Sequence, residues 1–223
     1  MVGPEFSSTI KTMQKTIKQT IADITRKPKA TTQEPLTSEA LKKWAKFFND
    51  FQPCKDVALM KPLRAAAEFG KDMAFKKTEP RWLSLIGNSG TGKTHLAKGI
   101  WKAWEGKGQC YEKAGVTLVK HGLFKSFSKM CNEMRAGAFG IFQSCADADF
   151  LVLDDLGAEY ATEFSQRQLA SMLDQRLGKW TVITSNLSMN DISDIDVRIA
   201  DRMIRGNNEV VGIDCVSYAM RDI

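Results

Sequence analysis

Several kinds of chemistry are poorly provided for in this chain. It has only two histidines, His95 and His121, and its five cysteines (Cys54, Cys110, Cys131, Cys145 and Cys215) include no C-x-x-C pair. That scarcity argues against a zinc site, and an odd, scattered cysteine count is no disulfide framework. No run of about 18 apolar residues is present, which removes a membrane-spanning helix. No signal-peptide core precedes a small-residue cleavage site, and no internal repeat is evident. These absences leave a reduced, cytoplasmic protein as the expectation.

What is present suits a globular protein. The apolar fraction of 43% is enough to fill a core, and 223 residues fit one large domain or a domain with an appendage. A formal charge of +6 favours an anionic partner. The excess is concentrated at one end. Residues 1–30 carry Lys11, Lys15, Lys18, Arg26, Lys27 and Lys29 against only Glu5 and Asp23.

The opening "MVGPEF" (1–6) reads as an expression remnant. Residues 7–37 read as an arm. Within it Ile10, Met13, Ile17, Ile21 and Ile24 recur at helical spacing opposite the lysines, and "RKPKATTQEPLTS" forms a linker. Residues 38–223 read as the main domain. A helix is expected from Ser38, with Leu41, Trp44, Phe47, Phe48 and Phe51 as its apolar face, and another over 62–76 with Pro62 in its first turn. From Trp82 onward short apolar runs alternate with helical segments: "WLSLIG" (82–87), "VTLVK" (116–120), "FLVLDD" (150–155), "WTVITSN" (180–186) and "EVVGID" (209–214). Near-continuous apolar strands of this kind imply a parallel sheet covered on both faces, hence a doubly wound five-stranded α/β domain.

"GNSGTGKTH" follows the first strand and opens a helix. Gly87, Gly92, Lys93 and Thr94 match the spacing G-x-x-x-x-G-K-[ST] in the strand-to-helix setting that this motif needs. The loop Gly87, Asn88, Ser89, Gly90, Thr91, Gly92, with Lys93, Thr94 and His95 after it, can turn its backbone N–H groups onto phosphate oxygens. Lys93 is suited to the β and γ phosphates of ATP, and Thr94 to a Mg²⁺ ion. "FLVLDD" delivers Asp154 and Asp155 to the carboxyl edge of the same sheet, where Asp154 fits metal binding and Asp155 water positioning. Asn186, ending "TSN", emerges at that edge too. Glu159 fits a helix-start charge better than a catalytic one.

A phosphate loop, "LVLDDLGAE", "ITSN" and then "RIADRMIRG" together resemble the DnaC/DnaI-type helicase loaders and the related IstB-like transposition helpers, both AAA+ ATPases. The resemblance spans about residues 80–214. It implies Walker A at 87–94, Walker B at 150–155, sensor 1 at Asn186 and an arginine finger at Arg202, with Arg198 supporting the same interface. Arg205, beside Gly206, fits a helix-end dipole partner instead. The alternative for this trio is local pairing with Asp194, Asp196 and Asp201.

The resemblance implies an ATPase that is weak alone and self-assembles with ATP through a finger supplied in trans. It also implies binding to single-stranded DNA and help in placing a replicative DNA helicase. Residues 122–149 are long for a crossover; Leu123, Phe127, Met130 and Met134 form a helical stripe there. In initiator-type relatives a helix at this place meets DNA, which would put Lys125, Lys129 and Arg135 on phosphates; a solvated amphipathic helix is the other reading. Only residues 214–223 follow the last strand, so little or no C-terminal lid is expected, with Arg221 the sole late candidate for a sensor 2 role. A duplex-DNA transposition helper and a P-loop small-molecule kinase are the alternative functions.

Overall fold

The computed structural model describes residues 46–48, 51, 59–75, 79–105, 110–113, 116–157 and 163–220. The arm, the linker, most of the helix expected from Ser38, Glu159 and Arg221 lie outside the described residues. Of that helix, Lys46–Phe48 form a 3₁₀ turn, and Phe48 and Phe51 are buried. Among the described residues no helix is long and apolar enough to cross a membrane.

Helix α1 (Met60–Phe75) leads to strand β1 (Trp82–Gly87), the phosphate loop and helix α2 (Lys93–Glu105). A hairpin of β2 (Cys110–Lys113) and β3 (Val116–Val119) precedes β4 (Gly122–Ser126) and α3 (Phe127–Arg135). Then come α4 (Ile141–Asp147), β5 (Phe150–Leu156), α5 (Glu163–Gln175) and β6 (Trp180–Ser185). Helices α6 (Met189–Ile195) and α7 (Val197–Ile204) and strand β7 (Glu209–Ile213) complete the set.

Five parallel strands form one sheet in the order β4-β5-β6-β1-β7. The fold class is the one expected. Alternation along the strands splits the core in two. Leu83, Leu85, Val152 and Val182 face α1 and α2, whereas Trp82, Ile86, Leu151, Leu153 and Ile183 face α3 through α7. Both sheet faces are thus sealed, which is why these strands read as continuous apolar runs.

One strand is not where the sequence suggested. "VTLVK" does not enter the main sheet; Val116–Val119 pairs antiparallel with Cys110–Lys113 in the separate hairpin. The second main-sheet strand is Gly122–Ser126, at the sheet edge beside β5. Lys125 therefore sits on a strand, not on the crossover helix, and only Lys129 and Arg135 lie on α3. Cys131, Cys145 and Cys215 are free thiols, and burial pushes the Cys145 thiol up to about 11.

Candidate functional site

The phosphate loop sits at the carboxyl edge of β1, next to the centre of the sheet. Two of its glycines are there for sterics. Gly90 has φ +75° and a Cβ on it would meet Ser217 Oγ at 2.1 Å; Gly92 has φ +97° and its Cβ would meet the Phe51 ring at 2.8 Å. The Lys93 ammonium donates to the carbonyls of Gly87 and Asn88, both at 2.7 Å. Its pKa is lowered by burial, against the opposing pull of Asp155, Asp154 and Cys215.

Asp154 is buried and its Oδ1 accepts from the Thr94 hydroxyl at 2.9 Å and from the Thr184 hydroxyl at 2.7 Å. Asp155 is exposed and has φ 60°. This left-handed residue coincides with an irregularity in β5–β6 pairing between Leu153 and Leu156. The turn swings the carboxylate out of the strand, and there Asp155 Oδ1 accepts from Asn186 Nδ2 at 2.9 Å. Its own N–H donates to Thr184 Oγ1 at 2.9 Å. Thr184 thus spaces the two carboxylates, one inward and one outward. It sits two residues before Asn186, so strand periodicity alone pointed it to the same side.

A cavity of about 790 Å³ covers these groups. One end carries Thr94, Asp154, Asp155 and Asn186, joined by Ser126 and Lys129. The other end is aromatic: Phe51 lies 5.8 Å from the His95 ring and 6.2 Å from the Tyr218 ring. Tyr218 N–H donates to Gly90 O at 3.0 Å, so the segment after β7 is tied to the phosphate loop. Neither Phe51 nor Tyr218 stood out in the sequence as a site residue, because Phe51 reads as part of the apolar face of the helix expected from Ser38.

The donor set fits a magnesium-bound nucleoside triphosphate. A hydroxyl and a buried carboxylate lie within 2.9 Å at the head of a glycine loop, which is oxygen chemistry suited to a hard cation. Loop N–H groups and a lysine surround the phosphate position, and the dipole of α2 points there.

The three arginines all find carboxylates within this chain. Arg198 binds Asp196 at 2.8 Å and is 58% exposed on its side chain. That neighbour holds Arg198 more firmly protonated. Arg205 binds Asp201, one turn earlier. Arg202 binds Asp174 of α5 and donates to Arg198 O at 2.7 Å, and its side chain is only 16% exposed. Local pairing was expected to hold for Arg205 alone; it extends to Arg198. Asp174 had no sequence signal, being 28 residues from its partner on another helix. Of the basic residues expected near DNA, Lys125 reaches Glu133 at 3.9 Å and Arg135 reaches Asn132 at 3.0 Å. Lys129 lines the phosphate cavity.

Residues 35–222 match the family model described as IstB-like ATP binding protein. No curated protein matches the chain. Among solved structures, DnaI is similar at 19% identity with a TM-score of 0.56, over 78% of this chain and 92% of that one. A DnaC helicase loader is similar at 22% identity with a TM-score of 0.53, over 77% and 99%. AMPPCP-bound DnaA from Aquifex aeolicus is similar at 19% identity with a TM-score of 0.53, over 68% of this chain. The match spans only 46% of that DnaA, about half its length. At such identities the likeness is one of fold.

Proposed function

The chain belongs to the IstB-like ATP-binding protein family, and from that premise we propose that it is an AAA+ ATPase that assembles with ATP, binds single-stranded DNA and helps to place a replicative helicase. The observation that carries the ATPase reading is the pairing of a buried Asp154 against Thr94 at 2.9 Å with an out-turned Asp155 against Asn186 at 2.9 Å. The first pair is suited to holding magnesium, and the second to orienting water.

In this reading Lys93 leaves the Gly87 and Asn88 carbonyls for the β and γ phosphates. The loop N–H groups take the remaining phosphate charge. Thr94 and Asp154 would hold magnesium, which would supply charge neutralisation to the phosphates. Asp155 orients the attacking water by accepting a hydrogen bond from its O–H, while Asn186 fixes the rotamer of Asp155. The aromatic end of the cavity, Phe51 and Tyr218, takes the base by stacking. The nearness to DnaI and a DnaC helicase loader over nearly their whole lengths supports the loader reading. Lys125 and Arg135 are the side chains offered to DNA phosphates.

Arg202 is the finger completing a neighbour's site. Its bond to Asp174 must open first, so a neighbour's γ-phosphate competes with Asp174 for one guanidinium. Asp174→Asn is therefore expected to lower the protein concentration needed for half-maximal ATP-dependent assembly about threefold, and Arg202→Ala to abolish the rise of turnover with concentration. Light scattering and phosphate release measured over a dilution series read both. An Arg202→Ala protein whose turnover still climbs with concentration would sink the finger assignment.

The family match over residues 35–222 favours a second reading, a transposition helper polymerising on duplex DNA. Anisotropy titrations with single-stranded and duplex oligonucleotides, with ATP, separate them: tighter duplex binding with long assemblies selects the helper.

A further inference from the structure

Lys129 is placed unlike the cations around it. Strand β4 runs parallel to β5 with Ser126 opposite Asp154, so the first turn of α3 begins beside the acidic end of the cavity. Lys129, in that turn, lines the cavity together with Lys93, Thr94, Asp154 and Asp155. Lys125 is turned to Glu133 and Arg135 to Asn132. Lys129 is exposed and has no hydrogen-bond or ion-pair partner among the described residues.

The electrostatics of the site call for such a group. Two carboxylates stand at this end; Lys93 approaches them from the loop side, and Lys98 of α2 also lines the cavity. A triphosphate brings its most charged group to the same place. A cation on the β4 side lowers that repulsion and is desolvated only when the phosphate arrives.

We propose that Lys129 is a second phosphate-binding lysine of the nucleotide site, contacting the terminal phosphate of ATP from the side opposite Lys93. This rests on the ATP-site reading above. ADP lacks the group that Lys129 would touch, so the contact discriminates ATP from ADP and ties the first turn of α3 to the state of the nucleotide.

The test is a binding titration of the full chain with AMPPCP and with ADP, each with Mg²⁺, for the wild type, Lys129→Ala and Lys129→Arg. Lys129→Ala should weaken AMPPCP about 10-fold and leave ADP within about twofold, with Lys129→Arg recovering most of the loss. Equal loss for both nucleotides, or loss for neither, overturns the assignment. Wild-type protein that binds neither nucleotide defeats the ATP-site reading itself, a separate failure. A shallower salt dependence of single-stranded DNA binding in Lys129→Ala, with an unchanged AMPPCP-to-ADP ratio, returns Lys129 to a DNA surface and overturns the assignment as well.

Discussion

Asp155→Asn is expected to cut ATP turnover by about two to three orders of magnitude while leaving nucleotide affinity within a few-fold. The substitution is close to isosteric. Asparagine tolerates the left-handed backbone that Asp155 adopts at φ 60°, so the strand irregularity and the Thr184 hydrogen bond persist. The amide can still accept from Asn186. What disappears is the negative charge that orients and polarises the attacking water, an effect worth about 100- to 10,000-fold in comparable sites. Asp155→Glu should recover little: a glutamate at that φ is less comfortable, and the longer arm moves the carboxylate away from Asn186. Phosphate release under saturating ATP gives the rate, and a fluorescent-nucleotide titration gives the affinity. A rate within tenfold of wild type would transfer the water-positioning role to another group.

The strands that the sequence located correctly share a property. β1, β5 and β6 lie inside the sheet, so burial demanded apolar residues at nearly every position, and β7, although an edge strand, keeps Val211 and Ile213 buried. β4 escaped because it is an edge strand with every residue half-buried. It could afford Gly122, Lys125 and Ser126, and its Leu123 falls in helical register with Phe127, Met130 and Met134 of α3. Period 3.6 was thus read across a strand–helix junction. "VTLV", richer in β-branched residues, has strand propensity without a place in the main sheet; its partner is the hairpin strand before it.

The site was legible where chemistry is written in consecutive residues and illegible where it depends on packing. The glycine loop, Asp154, Asp155 and Asn186 come from contiguous motifs, and the fold brings them to one edge. The helical spacing of Arg198 and Arg202 correctly gave a shared α7 origin, whereas Arg205 lies just past the end of α7 with an extended backbone. Their partners were legible only when local: Asp196 and Asp201 lie within one turn, whereas Asp174 arrives from α5 by tertiary packing. The surroundings of Lys129 were hidden for the same reason as β4. Shifting the strand boundary to Ser126 turned a lysine on a presumed outward helix face into one beside Asp154.

Arg176→Met should destabilise the fold by about 3–5 kcal/mol. Arg176 is wholly buried, just past the end of α5. Its guanidinium donates to the carbonyls of Cys145 at 2.7 Å, Ala148 at 2.8 Å and Trp180 at 2.6 Å, and to Thr181 Oγ1 at 2.9 Å. Two of those carbonyls close the C-terminal end of α4, where a cation also meets the helix dipole. Burial draws its pKa down to about 10, which leaves it charged at neutral pH. Methionine fills similar volume but takes the guanidinium donor away from three carbonyls, and each buried polar group left unsatisfied costs about 1–3 kcal/mol, less than additively. Arg176→Lys should help only in part, because one ammonium cannot span three carbonyls that a planar fork reaches. Urea unfolding reads the change as a lower midpoint at unchanged slope. The effect reaches the site: Trp180 and Thr181 begin β6, and that strand ends in Thr184, Ser185 and then Asn186. ATP at about a hundred times its Kd adds about 2.7 kcal/mol to a folded state that binds it. Saturating ATP should therefore restore much of the lost midpoint in Arg176→Met if β6 still presents Thr184 and Asn186 in register. Failure of ATP to move that midpoint, with the wild type still stabilised, would show that the guanidinium holds the register of β6 as well as its end.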